Sequence, residues 1–259
     1  MAKLRKREKF VTISVLLCIF LWFVQYIPLG FWRYFGIVCF SLLTYILSAI
    51  SLSDDLQITE WFTILPFHSL YSLAIGLFYF LLPTNLFSRL VIIVIFGVGT
   101  YFLFLMSNVY SISKGRTIQL INAAHSNQIF FSMLISLLLI NTLFSFQLIF
   151  YQNCIIIFLI HFWLSFFNLW AQELDLKIKF HLWQLSFLSS LLVGQLGIIL
   201  DFIPFPIWHK ALFIMAFFYI ILSLFQQFLN QKLFKKTFAE YYLVMAFMLV
   251  LLIFLFPRK

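Results

Sequence analysis

The sequence predicts an all-α, polytopic transmembrane helical bundle of about nine membrane-spanning helices, with eight as the alternative count. Three observations carry that expectation. Of the 259 residues, 64% are hydrophobic and only 10% charged, whereas a soluble chain carries about a quarter charged residues. The mean hydropathy is +1.07. The apolar residues also fall into runs long enough to cross hydrocarbon, which takes about twenty residues of helix. No water-soluble core of this size could hide so many apolar side chains, but lipid lifts the requirement that the outer surface be polar. Residues 1–259 therefore read as a single integral membrane domain.

The spans follow in order. The first, 10–29, is preceded by Lys3, Arg5, Lys6, Arg7 and Lys9. A basic stretch before an apolar run suits a signal peptide, but no small-x-small cleavage pattern follows, and Leu17 precedes Cys18 where a lipoprotein signal needs a small residue. An uncleaved helix is expected. Pro28-Leu29-Gly30 separates it from 34–52. The third span, 64–83, follows a loop holding Asp54, Asp55 and Glu60, and Pro83-Thr84-Asn85 divides it from 87–106. Proline breaks a helix at least cost near an interface, where water replaces the lost bond.

Residues 107–126 form a cytoplasmic connector, compatible with an interfacial helix: Ile118, Ile121 and Ala124 recur at three-residue steps, the pattern of a helix lying on a membrane surface. Lys114 and Arg116 are the candidate headgroup contacts there. Spans 127–147, 152–171 and 182–201 come next, then Pro204-Phe205-Pro206, then 206–229 and 239–256. Trp22, Tyr26, Trp32, Tyr34, Trp61, Trp183 and Trp208 lie near span ends, the depth that amphipathic rings favour. Trp163, in mid-span, does not follow that pattern.

Orientation comes from Lys and Arg. With nine spans and a cytoplasmic N-terminus, the N-terminal cluster, Lys114, Arg116, Lys177, Lys179, Lys232, Lys235 and Lys236 lie inside; Arg33, Arg89, Lys210, Arg258 and Lys259 lie outside. That is the positive-inside bias of a plasma-membrane protein. The formal net charge of +9 thus reads as a determinant of topology rather than a footprint for nucleic acid. The implied partners are the lipid bilayer, its anionic headgroups, and other membrane proteins or further copies of the chain, with no nucleic acid. In general style the short basic loops and Phe-rich spans resemble small multi-pass proteins of the bacterial inner membrane. That likeness carries over no functional residue.

The sixth span holds the most suggestive polar pattern. His161, Ser165, Asn168 and Gln172 follow one another by four, three and four residues, which places them on one helical face. Polar groups facing lipid are costly, so this face should meet other helices or a hydrated cavity. Gln128, Ser132 and Ser136 line the fifth span, and Gln184, Ser189, Ser190, Gly194 and Gln195 mark the seventh. His161, Ser165, Asn168, Gln172 and Gln184 are thus the candidate polar cavity or packing face. Asp201 and Lys210 flank the loop between spans seven and eight, where an ion pair would close the hairpin.

Catalytic signatures are missing from the sequence: it has no GxSxG, HExxH, Walker loop or CxxC, and no acidic pair within a span. Cys18, Cys39 and Cys154 are isolated from one another and from any metal-ligand spacing. No cofactor or metal is implied. The leading expectation is a non-catalytic scaffold or subunit of a membrane assembly. The alternatives are a carrier or channel for a small solute or lipid, lined by His161, Ser165, Asn168 and Gln184, and a membrane enzyme acting on a lipid-linked substrate with His68 or His125 as base.

Overall fold

A computed structural model describes residues 6–27, 30–53, 58–83, 85–113, 120–174, 178–231 and 235–255. Among them there are nine α-helices and no strand: α1 Lys6–Val24, α2 Phe31–Leu52, α3 Ile58–Tyr79, α4 Leu86–Ser113, α5 Ile121–Ser145, α6 Phe150–Glu173, α7 Phe180–Phe202, α8 Ile207–Leu229 and α9 Lys235–Leu255. The fold is the all-α transmembrane bundle that the hydropathy predicts. Seven helices, α2 to α8, are long and apolar enough to cross a bilayer. α1 is set apart by Arg7, Glu8 and Lys9 in its first turns, and α9 by its shorter apolar stretch, Ala239–Phe254.

Helix ends differ from the sequence expectation where a helix outruns the hydrocarbon. α4 continues to Ser113 and α5 begins at Ile121, so much of the expected 107–126 connector is helical. Lys114 and Arg116 lie outside the described residues, as do Asp54 and Asp55. Glu60, expected in a loop, is the third residue of α3 and fully buried. α3 also contains Pro66, which removes one backbone donor, a loss that helices surrounded by other helices tolerate. Gly30, at φ 148°, enters α2 through a backbone conformation that disfavours any side chain.

The chain divides into two compact units, Met1–Gln128 and Ile129–Lys259. In the first, α1 packs against α2 and α4, and α3 against α2 and α4. The ring of Phe10 stacks on Phe104 at 5.5 Å, and Cys18 Sγ donates to the Ile93 carbonyl at 3.7 Å. Ser41 and Ser69 each donate to the other's main-chain oxygen, at 2.9 and 3.1 Å, tying α2 to α3. Tyr71 donates to the Ile95 carbonyl at 3.0 Å, an approach that needs Gly99, because a Cβ there would fall 2.0 Å from the Tyr71 hydroxyl oxygen.

In the second unit α6 and α7 pack most closely, with α8 against both. Gly197 permits this: a Cβ would fall 2.5 Å from Cδ1 of Ile157. Small residues at such crossings let backbones approach, which is how helices associate without a hydrophobic driving force. α9 touches α8, and none of its described side chains is buried.

Candidate functional site

The α6 face with His161, Ser165 and Asn168 is completely buried. Each residue meets a different hydroxyl. His161 Nδ1 donates to the Ile157 carbonyl of its own helix at 2.8 Å, which leaves Nε2 to accept from the Ser136 hydroxyl of α5 at 2.9 Å. A neutral imidazole satisfies both contacts. The ring also sets its edge against Phe218 of α8, 4.7 Å between centroids. Ser165 shares a hydrogen bond with Ser189 of α7 at 2.9 Å. Asn168 Nδ2 donates to the Ser132 hydroxyl of α5 at 2.6 Å and to the Leu164 carbonyl at 2.7 Å.

One turn further on, Gln172 Oε1 accepts from Asn230 Nδ2, just past the end of α8, at 3.2 Å. The face therefore fans out to α5, α7 and α8 as three kinds of helix-to-helix tie. Gln184 does not join it. That residue is exposed on the outer side of α7 beside Trp183, Phe187 and Leu188, because the buried side of α7 carries Leu182, Ser186, Ser189 and Val193.

The four-residue spacing of Ser132 and Ser136 makes them available to one neighbouring helix, and the structure sets both against α6. Gln128, on the same line, serves the first unit instead, accepting from the Tyr110 hydroxyl. Tyr110 also meets His125 Nδ1 at 3.3 Å. His68 Nε2 lies 2.8 Å from the Ser107 hydroxyl of α4, and its Nδ1 has no hydrogen-bond partner among the described residues. Ser72, one turn beyond His68, bonds to the Ser69 carbonyl.

At the end of α7 the carboxylate of Asp201 accepts from Asn153 Nδ2 of α6 at 3.1 Å. Lys210 reaches the Asp201 main-chain oxygen at 3.5 Å and lies over the Phe144 ring at 5.3 Å. The hairpin is thus closed through main chain and amide rather than by a direct ion pair. Sequence reading missed Asn153, whose spacing of eight from His161 gives only a diffuse helical signal. It also missed the Glu173 group, where the carboxylate meets His181 at 2.8 Å and Lys179 at 3.1 Å. Among the described residues no three His, Cys, Asp or Glu side chains converge in a metal-binding arrangement, and the three cysteines are free.

These features define a multi-pass, all-helical membrane protein with a hydrogen-bonded polar seam between α5, α6 and α7. Comparison with known proteins finds no matching family model, no matching curated protein and no matching solved structure.

Proposed function

We propose that the protein is a non-catalytic component of a membrane assembly, a scaffold or subunit, held in the plasma membrane with its N-terminus cytoplasmic. The observation that carries this reading is the closure of the α6 seam. His161, Ser165 and Asn168 have no exposed surface, and each is bonded to a serine of a neighbouring helix. A solute pathway needs polar groups that can exchange partners with a passing ligand. A seam whose donors meet acceptors on adjacent helices instead holds those helices in register, at about 0.6 kcal/mol per interhelical bond on average. Catalysis finds as little support, since the partners seen for His68 and His125 among the described residues are the hydroxyls of Ser107 and Tyr110.

The test replaces His161 and Asn168 together with leucine. The scaffold reading expects a lower unfolding temperature in mild detergent and weakened recovery of bound membrane-protein partners or further copies of the chain. Normal thermal stability, combined with loss of solute flux in proteoliposomes that the parent protein supports, would replace it with the carrier reading.

A further inference from the structure

We propose that one end of the first unit, where α1 and α3 finish and α2 and α4 begin, is a binding site for a phosphate-type oxyanion. The argument starts from the buried line of α1: Phe10, Ser14, Leu17 and Leu21. One more turn adds Gln25, whose amide N–H donates to the Leu21 carbonyl at 3.1 Å. Gln25 is 4% exposed, yet neither its Nε2 nor its Oε1 has a hydrogen-bond partner among the described residues. Burying an unbonded amide is costly, so a side chain held there is poised for a partner that the described residues do not supply.

The packing shows what surrounds it. α1 and α4 run antiparallel in the register that seats Phe10 on Phe104 and Cys18 against Gly97. Continued to the end of α1, this register brings Gln25 level with Arg89. The Arg89 guanidinium lies over the Tyr26 ring at 4.6 Å and within electrostatic reach of the Tyr79 phenol. Arg89 Nε has no hydrogen-bond partner among the described residues, while the guanidinium itself bonds to the phenols of Tyr26 and Tyr79. Arg33 closes the other side: its Nε and Nη2 clamp the Ile27 carbonyl at 3.3 and 3.2 Å, two residues past Gln25, and its guanidinium stacks 4.0 Å over Phe80. The register thus places the Gln25 amide, the Tyr79 phenol and two guanidinium groups at the same end of the first unit.

Charge decides the ligand. Arg33 is the third residue of α2 and Arg89 the fourth of α4, so both cations sit in the first turn of a helix, where the macrodipole is already positive. The sequence has no Asp or Glu between Glu8 and Asp54, nor between Glu60 and Glu173, so neither arginine finds a carboxylate near it along its own helix. Among the described residues neither forms an ion pair. An oxyanion bound here would answer the two guanidinium groups, the two helix starts and the unpaired donors at once. Arginine's planar fork suits tetrahedral phosphate oxygens. The same chemistry is offered by a phospholipid headgroup and by free phosphate. The exposed rings of Tyr26 and Trp32 beside the site are of the type that settles at headgroup depth.

The experiment uses the full chain, delipidated in a non-ionic detergent, with two probes: inorganic phosphate against chloride at constant ionic strength, and phosphatidylglycerol against phosphatidylcholine. Binding is read as a rise in unfolding temperature and as adducts in native mass spectra. Two variants accompany the parent. Gln25→Leu removes an amide that has no bond to lose, and Arg89→Lys keeps the charge but not the fork. The proposal expects about tenfold weaker binding in each variant, the scale of one lost charge-assisted hydrogen bond. Phosphate binding that weakens in both variants supports a site for the free anion. Inert phosphate with phosphatidylglycerol retained by the parent, and weakened in both variants, supports a headgroup site. Failure of the parent to bind either probe, or equal binding by all three proteins, overturns the proposal.

Discussion

The first turns of α4 and α8 each carry a cation, Arg89 and Lys210, and the two units treat them differently. In the second unit the preceding helix carries Asp201 in its last turn, so Lys210 has a carboxylate close by, and that carboxylate is itself fixed to α6 through Asn153. In the first unit α3 ends on Tyr79, whose phenol cannot neutralise a guanidinium, and the Gln25 side-chain amide has no hydrogen-bond partner among the described residues. The contrast extends inward. The second unit ties His161, Ser165 and Asn168 to serines on neighbouring helices, although Asn168 Oδ1, and elsewhere Gln226 Nε2 and His209 Nδ1, lack partners among the described residues. The first unit leaves unpaired donors beside two cations. A polar group that the chain satisfies acts as structure; converging donors that it leaves unsatisfied point to something outside the chain.

The largest expected effect comes from opposing substitutions of like kind. Asn168→Leu removes the buried hydrogen bonds to Ser132 and the Leu164 carbonyl and should lower stability by about 1–3 kcal/mol, whereas Gln25→Leu should leave unfolding in phosphate-free detergent unchanged or raise it, because no side-chain bond seen among the described residues is lost. Thermal unfolding of both variants measures the pair, and equal destabilisation would erase the contrast between the units.

Next in size is Asp201→Asn, which gives the start of α8 the unneutralised character of α4. A loss of about 1 kcal/mol is expected at low ionic strength, shrinking as added salt screens the parent's advantage. A loss independent of salt would assign Asp201 a purely hydrogen-bonding role with Asn153. Smaller still is the coupling between Ser136 and His161, about 0.6 kcal/mol in a double-mutant cycle of Ser136→Ala with His161→Leu; additive losses would detach the ring from α5. The smallest belongs to the partly exposed Glu173 group. Glu173→Gln should shift stability by less than about 0.5 kcal/mol, as read by urea or thermal unfolding of the second unit.

Much of the α6 seam was legible because helical spacing is a local property. The steps between His161, Ser165 and Asn168 put them on one side of any α-helix, and the side chains around them leave that side as the one to bury. Gln184 was not legible in the same way: polarity drew attention to it, but Leu182, Ser186 and Ser189 define the buried side of α7 and turn Gln184 outward. Glu60 shows the converse, a carboxylate that reads as a loop residue and is instead enclosed in α3. The Gln25 end was invisible in the sequence, since Gln25 lies far along the chain from Tyr79 and Arg89 and only the antiparallel register of α1 with α4 brings it to their end of the unit.

Composition and apolar run length by themselves determined that hydrocarbon surrounds this chain, that it folds as helices, and which side chains share a face, because backbone hydrogen bonding in lipid leaves a short menu and 3.6 residues per turn does the rest. Which face meets which neighbour, and so whether a polar group is answered from within or left open, was decided only by tertiary packing. That choice depends on contacts between residues tens of positions apart, and no local period encodes them.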